Sequence, residues 1–216
     1  MAQHVRLLFP NTVRQTEVAA ARSALESFGR FGVTHDSIQV DAAPGGMFWK
    51  VKHMEPVRKV KHGEKIHSII TNPGAVVVGP LDLQTESISC LWHDKDILGV
   101  GLTPWRIHEA EVFPDEKSRR LGLSLFGHGA LVSLFMIREL GEGVRESAIT
   151  LAIKHEVGHV FINRKGHCGN AGCLMQENEN SRDFVERFVL PALDFCRECR
   201  EEIGKGIAML EAGRYN

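Results

Sequence analysis

The chain has 216 residues, of which 43% are hydrophobic and 25% charged, and its formal net charge is -1. A chain of this size buries roughly 70% of its unfolded surface, so its core does not depend on disulfides. The near-neutral charge gives no reason to expect nucleic acid or a membrane as a partner, and no apolar run approaches the roughly 20 residues of a membrane span. The first ten residues lack the apolar core of a signal peptide, so we expect a cytoplasmic protein.

Hydrophobic periodicity predicts a succession of strands and helices along the first three quarters of the chain. Strands are predicted at residues 5–9, 37–40, 75–78, 87–92 and 97–102, the last two around the polar turn at 93–96. Helices are predicted at 16–28 and 144–162. The apolar run at 130–137 is compatible with either a strand or a short helix.

The C-terminal part is predicted to be helical. Asn180-Ser181-Arg182-Asp183 is typical of a capped helix start, and Pro191 is expected to kink or restart that helix. A further helix is predicted at 198–210.

The sequence His155-Glu156-Val157-Gly158-His159 carries the most chemistry in the chain. On a helix, positions four apart share one face, so both histidines can bind one Zn²⁺ while Glu156 directs its carboxylate at a metal-bound water. The pattern predicts hydrolysis by attack of that water on a carbonyl, with Glu156 as the general base.

A catalytic zinc of this kind needs a third protein ligand and one open position. His167 follows a segment in which Asn163 or Gly166 can adopt the left-handed conformation that turns the chain back. We therefore expect His167 to be the third ligand. A glutamate from the following helix is the alternative: Glu177, Glu179 or Glu186.

Four of the five cysteines cluster near the C-terminus: Cys168, Cys173, Cys196 and Cys199. In a reducing compartment such a cluster more often binds zinc than forms disulfides, and four thiolates leave no open position. We predict a structural zinc here. Cys90, outside the cluster, is expected to be a small buried core residue.

The order of elements predicts one α+β domain covering residues 1–216. Within it, residues 1–163 are expected to hold a mixed β-sheet and the active-site helix. Residues 164–216 are expected to form a helical C-terminal subdomain tied together by the structural zinc.

The motif resembles that of the archaemetzincins, a family within the metzincin clan of zinc peptidases. Their signature is HExxHxxGxxHC, followed by C-x-M and then C-x-x-C; it is matched here in residue type and order by His155, Glu156, His159, His167, Cys168, Cys173, Met175, Cys196 and Cys199. The resemblance implies a compact metzincin-like fold, a catalytic zinc on the three histidines and a second zinc on the four cysteines. It also implies that Met175 lies in a turn beneath the catalytic zinc.

The chain departs from this pattern in the connection that leads to the third histidine. Ile162 stands where the family has glycine, and His167 lies two residues further along, so strict spacing would put Lys165 at the ligand position. A two-residue insertion in the turn keeps His167 and Cys168 in register with Cys173. The gap between Met175 and Cys196 is also longer than in the family.

The predicted function is therefore that of a zinc metallopeptidase with two zinc ions, acting on a peptide or small protein. The longer turn motivates an alternative, a catalytically impaired, zinc-stabilised protein with a binding or structural role. A glutamate third ligand would make the site similar to that of the gluzincins. A fourth hypothesis combines the cysteines with the basic stretch at 50–65 in a nucleic-acid-binding module, although that stretch is more typical of a solvated face.

Overall fold

The structure is a computed structural model that describes residues 3–40, 57–62, 65–72, 75–78, 97–104, 106–109, 119–127, 129–163, 166–177 and 181–213. Several sequence predictions lie outside these residues. They are the buried Cys90, the strand at 87–92, the side chains of the basic stretch at 50–65, Lys165 and Glu179.

The described residues form ten β-strands in two sheets. In chain order they are β1 (His4–Pro10), β2 (Thr34–Val40), β3 (Val57–His62), β4 (Lys65–Asn72), β5 (Ala75–Val78), β6 (Ile97–Thr103), β7 (Arg106–Glu109), β8 (Arg119–Arg120), β9 (Gly122–Leu125) and β10 (Gly129–Ser133). The strand order of the first sheet is β2-β1-β6-β10-β9, and that of the second is β3-β4-β5-β7-β8.

The first sheet is mixed, as predicted. Its strands β2, β1, β6 and β10 are parallel, with Val5 opposite His35 and Ala130 opposite Val100. Strand β9 is antiparallel to β10 and forms one edge of the sheet. Parallel neighbours need crossover connections, and the crossover from β1 to β2 is a helix.

The helices are α1 (Gln15–Glu26), α2 (Phe135–Arg138), α3 (Glu142–Phe161), α4 (Ser181–Phe184) and α5 (Arg197–Glu211). A 3-10 turn over Ser27–Phe31 extends α1, and a π-helical turn over Val185–Val189 extends α4. None of the helices in the described part of the chain is both long and apolar enough to cross a membrane.

Helix α3 lies at the centre of the core. It packs against α1 on one side, against β9 and β10 on another, and against α5 towards its C-terminal end. Its buried side chains include Ile149, Ile153 and Phe161, each fully buried. Small alanines on α1, such as Ala21 and Ala24, are also fully buried and allow the two helices to approach closely.

The predicted elements are largely confirmed. The strands at 5–9, 37–40, 75–78 and 97–102 and the helices at 16–28, 144–162 and 198–210 are all present, with bounds shifted by a few residues. The ambiguous run at 130–137 is both a strand and a helix, because β10 ends at Ser133 and α2 begins at Phe135. Pro191 follows the end of the helical segment that starts at Ser181, and the chain is irregular until Cys196 caps α5.

Candidate active site and metal centres

The C-terminal half of α3 carries the first two histidines on one face. The Nε2 atoms of His155 and His159 are 3.2 Å apart, and the two ring centroids are separated by 4.8 Å. Two nitrogens at this distance can bind the same ion. The i, i+4 spacing of the motif is the cause, since four residues make slightly more than one helical turn.

A backbone carbonyl fixes the orientation and tautomer of His155. Its Nδ1 lies 2.8 Å from the carbonyl oxygen of Leu174, which can only accept a hydrogen bond. The ring therefore carries its proton on Nδ1 and leaves the lone pair of Nε2 for a metal. Burial lowers the pKa of His155, which favours the neutral form that a metal requires.

The third histidine reaches the same place despite the longer connection. Helix α3 ends at Phe161, Ile162 is extended with φ -95° and ψ 109°, and Gly166 takes the left-handed conformation with φ 83°. One ligand nitrogen each from His155, His159 and His167 lies within 4.8 Å of the others. Of the two residues considered for the turn, Gly166 thus supplies the left-handed conformation.

The two competing glutamates that the structure describes do not join this group. Glu177 and Glu186 are exposed, and neither belongs to the set of metal-ligand candidates that the described residues form around the histidines. Glu179 lies outside the described residues. The geometry therefore favours three histidines as the donor set.

The donor set fits zinc. Bonds of about 2.0–2.1 Å in a tetrahedral arrangement place ligand nitrogens about 3.3 Å apart, close to the 3.2 Å between His155 and His159. Three nitrogen donors also leave one of four tetrahedral positions open. The burial of the histidines decreases along the chain, from buried His155 to exposed His167, so the site has a solvent-facing side.

Glu156, next to His155 on α3, is only 9% exposed and contacts the edge strand β9. The hydroxyl of Ser124 donates a hydrogen bond of 2.7 Å to Glu156 Oε2. Sequence reasoning missed Ser124, which is 32 residues away from Glu156. In the sequence, Ser124 is a polar residue between two leucines, and this pattern does not indicate that Glu156 is its partner.

Met175 packs beneath α3, against the part of the helix that carries the motif His155–His159. It is 1% exposed, and a Cβ placed on Gly158 would lie 2.6 Å from the Met175 sulfur. The ring of Phe195 also abuts Gly158. The chain turns at Cys173–Gln176, where the amide of Gln176 donates to the Cys173 carbonyl, so Met175 lies in a turn under the active-site helix.

The four clustered cysteines converge on one point. Their sulfur atoms all lie within 4.8 Å of one another, with 3.8 Å between Cys168 and Cys196 and 3.6 Å between Cys173 and Cys199. A tetrahedral zinc with bonds of about 2.3 Å requires sulfur–sulfur distances of about 3.8 Å. These cysteines therefore fit a closed, four-thiolate zinc site.

Backbone amides donate hydrogen bonds to the cysteine sulfurs, as they do to thiolates in metal sites. The amides of Asn170 and Cys199 donate to the sulfurs of Cys168 and Cys196, at 3.4 and 3.5 Å. Burial acts to raise the pKa of Cys196, but the amide of Cys199 and the neighbouring cysteines outweigh it and lower that pKa. Burial raises the pKa of Cys173, although two amides donate to its sulfur. Bound zinc would deprotonate all four thiols.

The two centres share one scaffold. His167 and Cys168 are adjacent, and the amide of Cys168 donates to the Met175 carbonyl at 2.8 Å. The amide of Leu174, whose carbonyl orients His155, donates to the Asp194 carbonyl at 3.0 Å. The Asp194 carboxylate in turn pairs with Lys154 of α3 at 2.7 Å. The cysteine cluster thus holds the segment that supports the histidines.

Comparisons of the whole fold identify solved structures with the same architecture. The chain resembles the archaemetzincin of Methanopyrus kandleri with a TM-score of 0.64 and 15% identity, covering 95% of this chain and 96% of that one. It resembles the archaemetzincin of Archaeoglobus fulgidus, solved with malonate, with a TM-score of 0.58 and 18% identity over 92% of this chain and 99% of that one. The chain has the archaemetzincin fold.

A third structure with this fold is a zinc-dependent peptidase of Methanocorpusculum labreanum, matched with a TM-score of 0.55 and 17% identity over 92% of this chain and 99% of that one. No protein-family model and no curated protein sequence matches the chain. The archaemetzincin fold is therefore shared over nearly the whole chain, while sequence identity to these structures is low.

Proposed function

We propose that the chain is a zinc-dependent metallopeptidase with two zinc ions, one catalytic and one structural. The observation that carries this proposal is the convergence of three histidine nitrogens within 4.8 Å of one another, two of them on the helix that also carries Glu156. The names of the structures that share the fold, archaemetzincin and zinc-dependent peptidase, support the same activity.

Each residue of the site has a distinct task in this proposal. Zinc held by His155, His159 and His167 would supply Lewis acidity, lowering the pKa of water and polarising a peptide carbonyl. Glu156 accepts the proton of the attacking water and passes it to the departing amine nitrogen. The Leu174 carbonyl keeps His155 in the required tautomer, and Met175 supports the helix from below.

The substrate is proposed to be a peptide or small protein in an extended conformation. Among the strands that the structure describes, β9 is an edge of the first sheet, and the hydroxyl of Ser124 on this strand contacts Glu156. Edge strands present unpaired backbone groups to which an extended peptide can hydrogen bond. We further propose that the enzyme works in the cytoplasm, where four clustered thiols stay reduced.

The test is cleavage of a diverse peptide library by purified protein, with and without a chelator. We expect chelation to abolish cleavage, and Glu156→Gln to lower kcat by roughly 100- to 10,000-fold, because the proton acceptor is lost. Glu177→Gln is the matched control, since Glu177 is exposed and outside the histidine group, and it should retain wild-type activity.

Full activity of Glu156→Gln would show that another group accepts the proton. Absence of any chelator-sensitive cleavage would instead support the alternative of a zinc-stabilised protein with a binding or structural role. That alternative was motivated by the long turn after α3, and the position of His167 weakens it.

A further inference from the structure

We propose that Ser124 is a positioning residue for Glu156, and that strand β9 thereby sets the orientation of the catalytic base. This inference rests on the proposed peptidase function. Its direct basis is the 2.7 Å hydrogen bond from the Ser124 hydroxyl to Glu156 Oε2. Because a carboxylate accepts this bond, it is charge-assisted and stronger than a bond between neutral groups.

Gly122 provides the space that the carboxylate occupies. A Cβ placed on Gly122 would lie 2.5 Å from both Cδ and Oε1 of Glu156, so any larger residue here would force the carboxylate to move. Residues two apart on a strand point to the same face, so Gly122 and Ser124 act on Glu156 from one side. The strand thus leaves room for the observed position of the carboxylate and holds it there by a hydrogen bond.

Strand β9 is itself fixed relative to α3. Ser124 pairs with Ala130 of β10, and Ala130 is fully buried. The amide of Gly127, in the turn between the two strands, donates to the Val160 carbonyl of α3 at 2.8 Å. Since both ends of the Ser124–Glu156 contact are anchored, the hydroxyl is preorganised for the carboxylate.

The contact leaves Glu156 able to act as a base. A carboxylate has about four acceptor positions, and Ser124 occupies one of them. Ser124 therefore acts through Glu156 rather than through the metal ligands. Removing the Ser124 hydroxyl should lower turnover without lowering the zinc content.

The test compares Ser124→Thr with Ser124→Val, two substitutions of nearly the same shape that both suit a strand. Threonine keeps the hydroxyl, and we expect its kcat to stay within about twofold of wild type. Valine removes the donor, and we expect kcat to fall about tenfold or more, as is usual for residues that orient active-site groups, with KM and zinc content unchanged. Equal kcat values for the two variants would overturn the inference while leaving the peptidase proposal intact.

A second measurement does not depend on activity. Ser124→Val is combined with Glu156→Ala, and urea unfolding midpoints are measured for both single variants, the double variant and wild type. If the hydrogen bond exists, Ser124→Val lowers the midpoint in the wild-type background and has a smaller effect when Glu156 is alanine. Equal effects in both backgrounds would overturn the inference.

The two measurements separate the two proposals. Coupling between Ser124 and Glu156 in a protein that cleaves no peptide would refute the peptidase function, and with it the role of Ser124 in catalysis, while the contact itself stands. Coupling together with a loss of turnover in the valine variant alone supports both proposals.

Discussion

The three histidines differ in how they are held, and His167 depends most on its surroundings. His155 and His159 belong to a helix that the core surrounds, whereas His167 is exposed and lies on the loop after Gly166. Its neighbour Cys168 is 6% exposed, and its sulfur lies 3.8 Å from that of Cys196. Metal binding by the cysteines would therefore fix the backbone next to His167, so the proposed structural zinc would also support the proposed catalytic one.

Zinc stoichiometry tests the assignment of His167. Wild-type protein is expected to contain two zinc ions per chain, and His167→Ala one, because a site with two histidines binds zinc weakly. Elemental analysis after dialysis measures both. Glu177→Ala serves as control and should keep two zinc ions, since Glu177 is exposed. Two zinc ions in His167→Ala would give the third ligand position to another residue.

Site residues whose type indicates metal binding could be predicted from the sequence. Residues that contribute to the site only through their position in the fold could not. Histidines and cysteines at metal-ligand spacings are recognisable by type, and the structure brings all seven together in two groups. The carbonyl of Leu174 orients His155, but a backbone carbonyl carries no residue-specific signal. Ser124 and Gly122 meet Glu156 only because β9 packs against α3, which depends on tertiary structure.

At the level of elements, a close contact between α5 and the end of α3 positions the C-terminal region. A Cβ placed on Gly206 of α5 would overlap the carbonyl oxygen of Phe161 and lie 2.8 Å from its carbonyl carbon. The backbone of α3 cannot move easily, because Phe161 is fully buried against Phe28, with ring centroids 5.8 Å apart. The contact therefore requires glycine.

Two glycines of α5 provide a matched pair for testing this packing. Gly206→Ala is expected to lower the free energy of unfolding by about 1–3 kcal/mol, because the new methyl group forces α5 away from α3. Gly204→Ala is expected to raise it by about 0.5–1 kcal/mol, since nothing lies within 4 Å of its Cβ position and alanine is the better helix former. Urea unfolding of the two variants measures both effects. Effects of the same sign would contradict the proposed contact.

Element types were easier to predict than element partners. The helix predicted at 144–162 is present at Glu142–Phe161. In contrast, the pattern at 97–102 predicted a strand without indicating its partners, and β6 pairs in parallel with β1 and β10. Strand pairing depends on contacts far apart in sequence, for which local pattern gives no signal.

At the scale of the whole molecule, ion pairs connect elements that are distant in sequence. Glu17 of α1 accepts two hydrogen bonds from Arg138 of α2, at 2.7 and 2.6 Å, and is 1% exposed. Asp36 of β2 pairs with Arg6 of β1 at 2.8 Å, with side chains 40% and 31% exposed. Since Arg138 and Glu17 are more buried, their pair is expected to matter more to stability.

Both carboxylates have lowered pKa values. For Glu17, burial acts to raise the pKa, but the hydrogen bonds from Arg138 and the Arg14 amide outweigh it. For Asp36, the hydrogen bond from Arg6 is the main cause. A group whose pKa is lower in the folded than in the unfolded state binds fewer protons when folded. Its stabilisation is therefore complete above the unfolded pKa, about 4, and is lost as the pH falls through the folded value.

This linkage predicts how Glu17→Gln changes stability with pH. At pH 7 the variant is expected to be about 1–3 kcal/mol less stable than wild type, because the charged partner of Arg138 is gone. As the pH falls below about 4 and then through the lowered folded pKa of Glu17, the wild-type carboxylate becomes protonated, so the difference should shrink towards zero. Loss of zinc at low pH affects both proteins alike. The difference between their free energies of unfolding in urea therefore gives the contribution of Glu17. Asp36→Asn should show the same trend with a smaller amplitude, since water screens the more exposed pair. A difference for Glu17→Gln that stays constant from pH 7 to acid would show that the charge of Glu17 does not stabilise the fold.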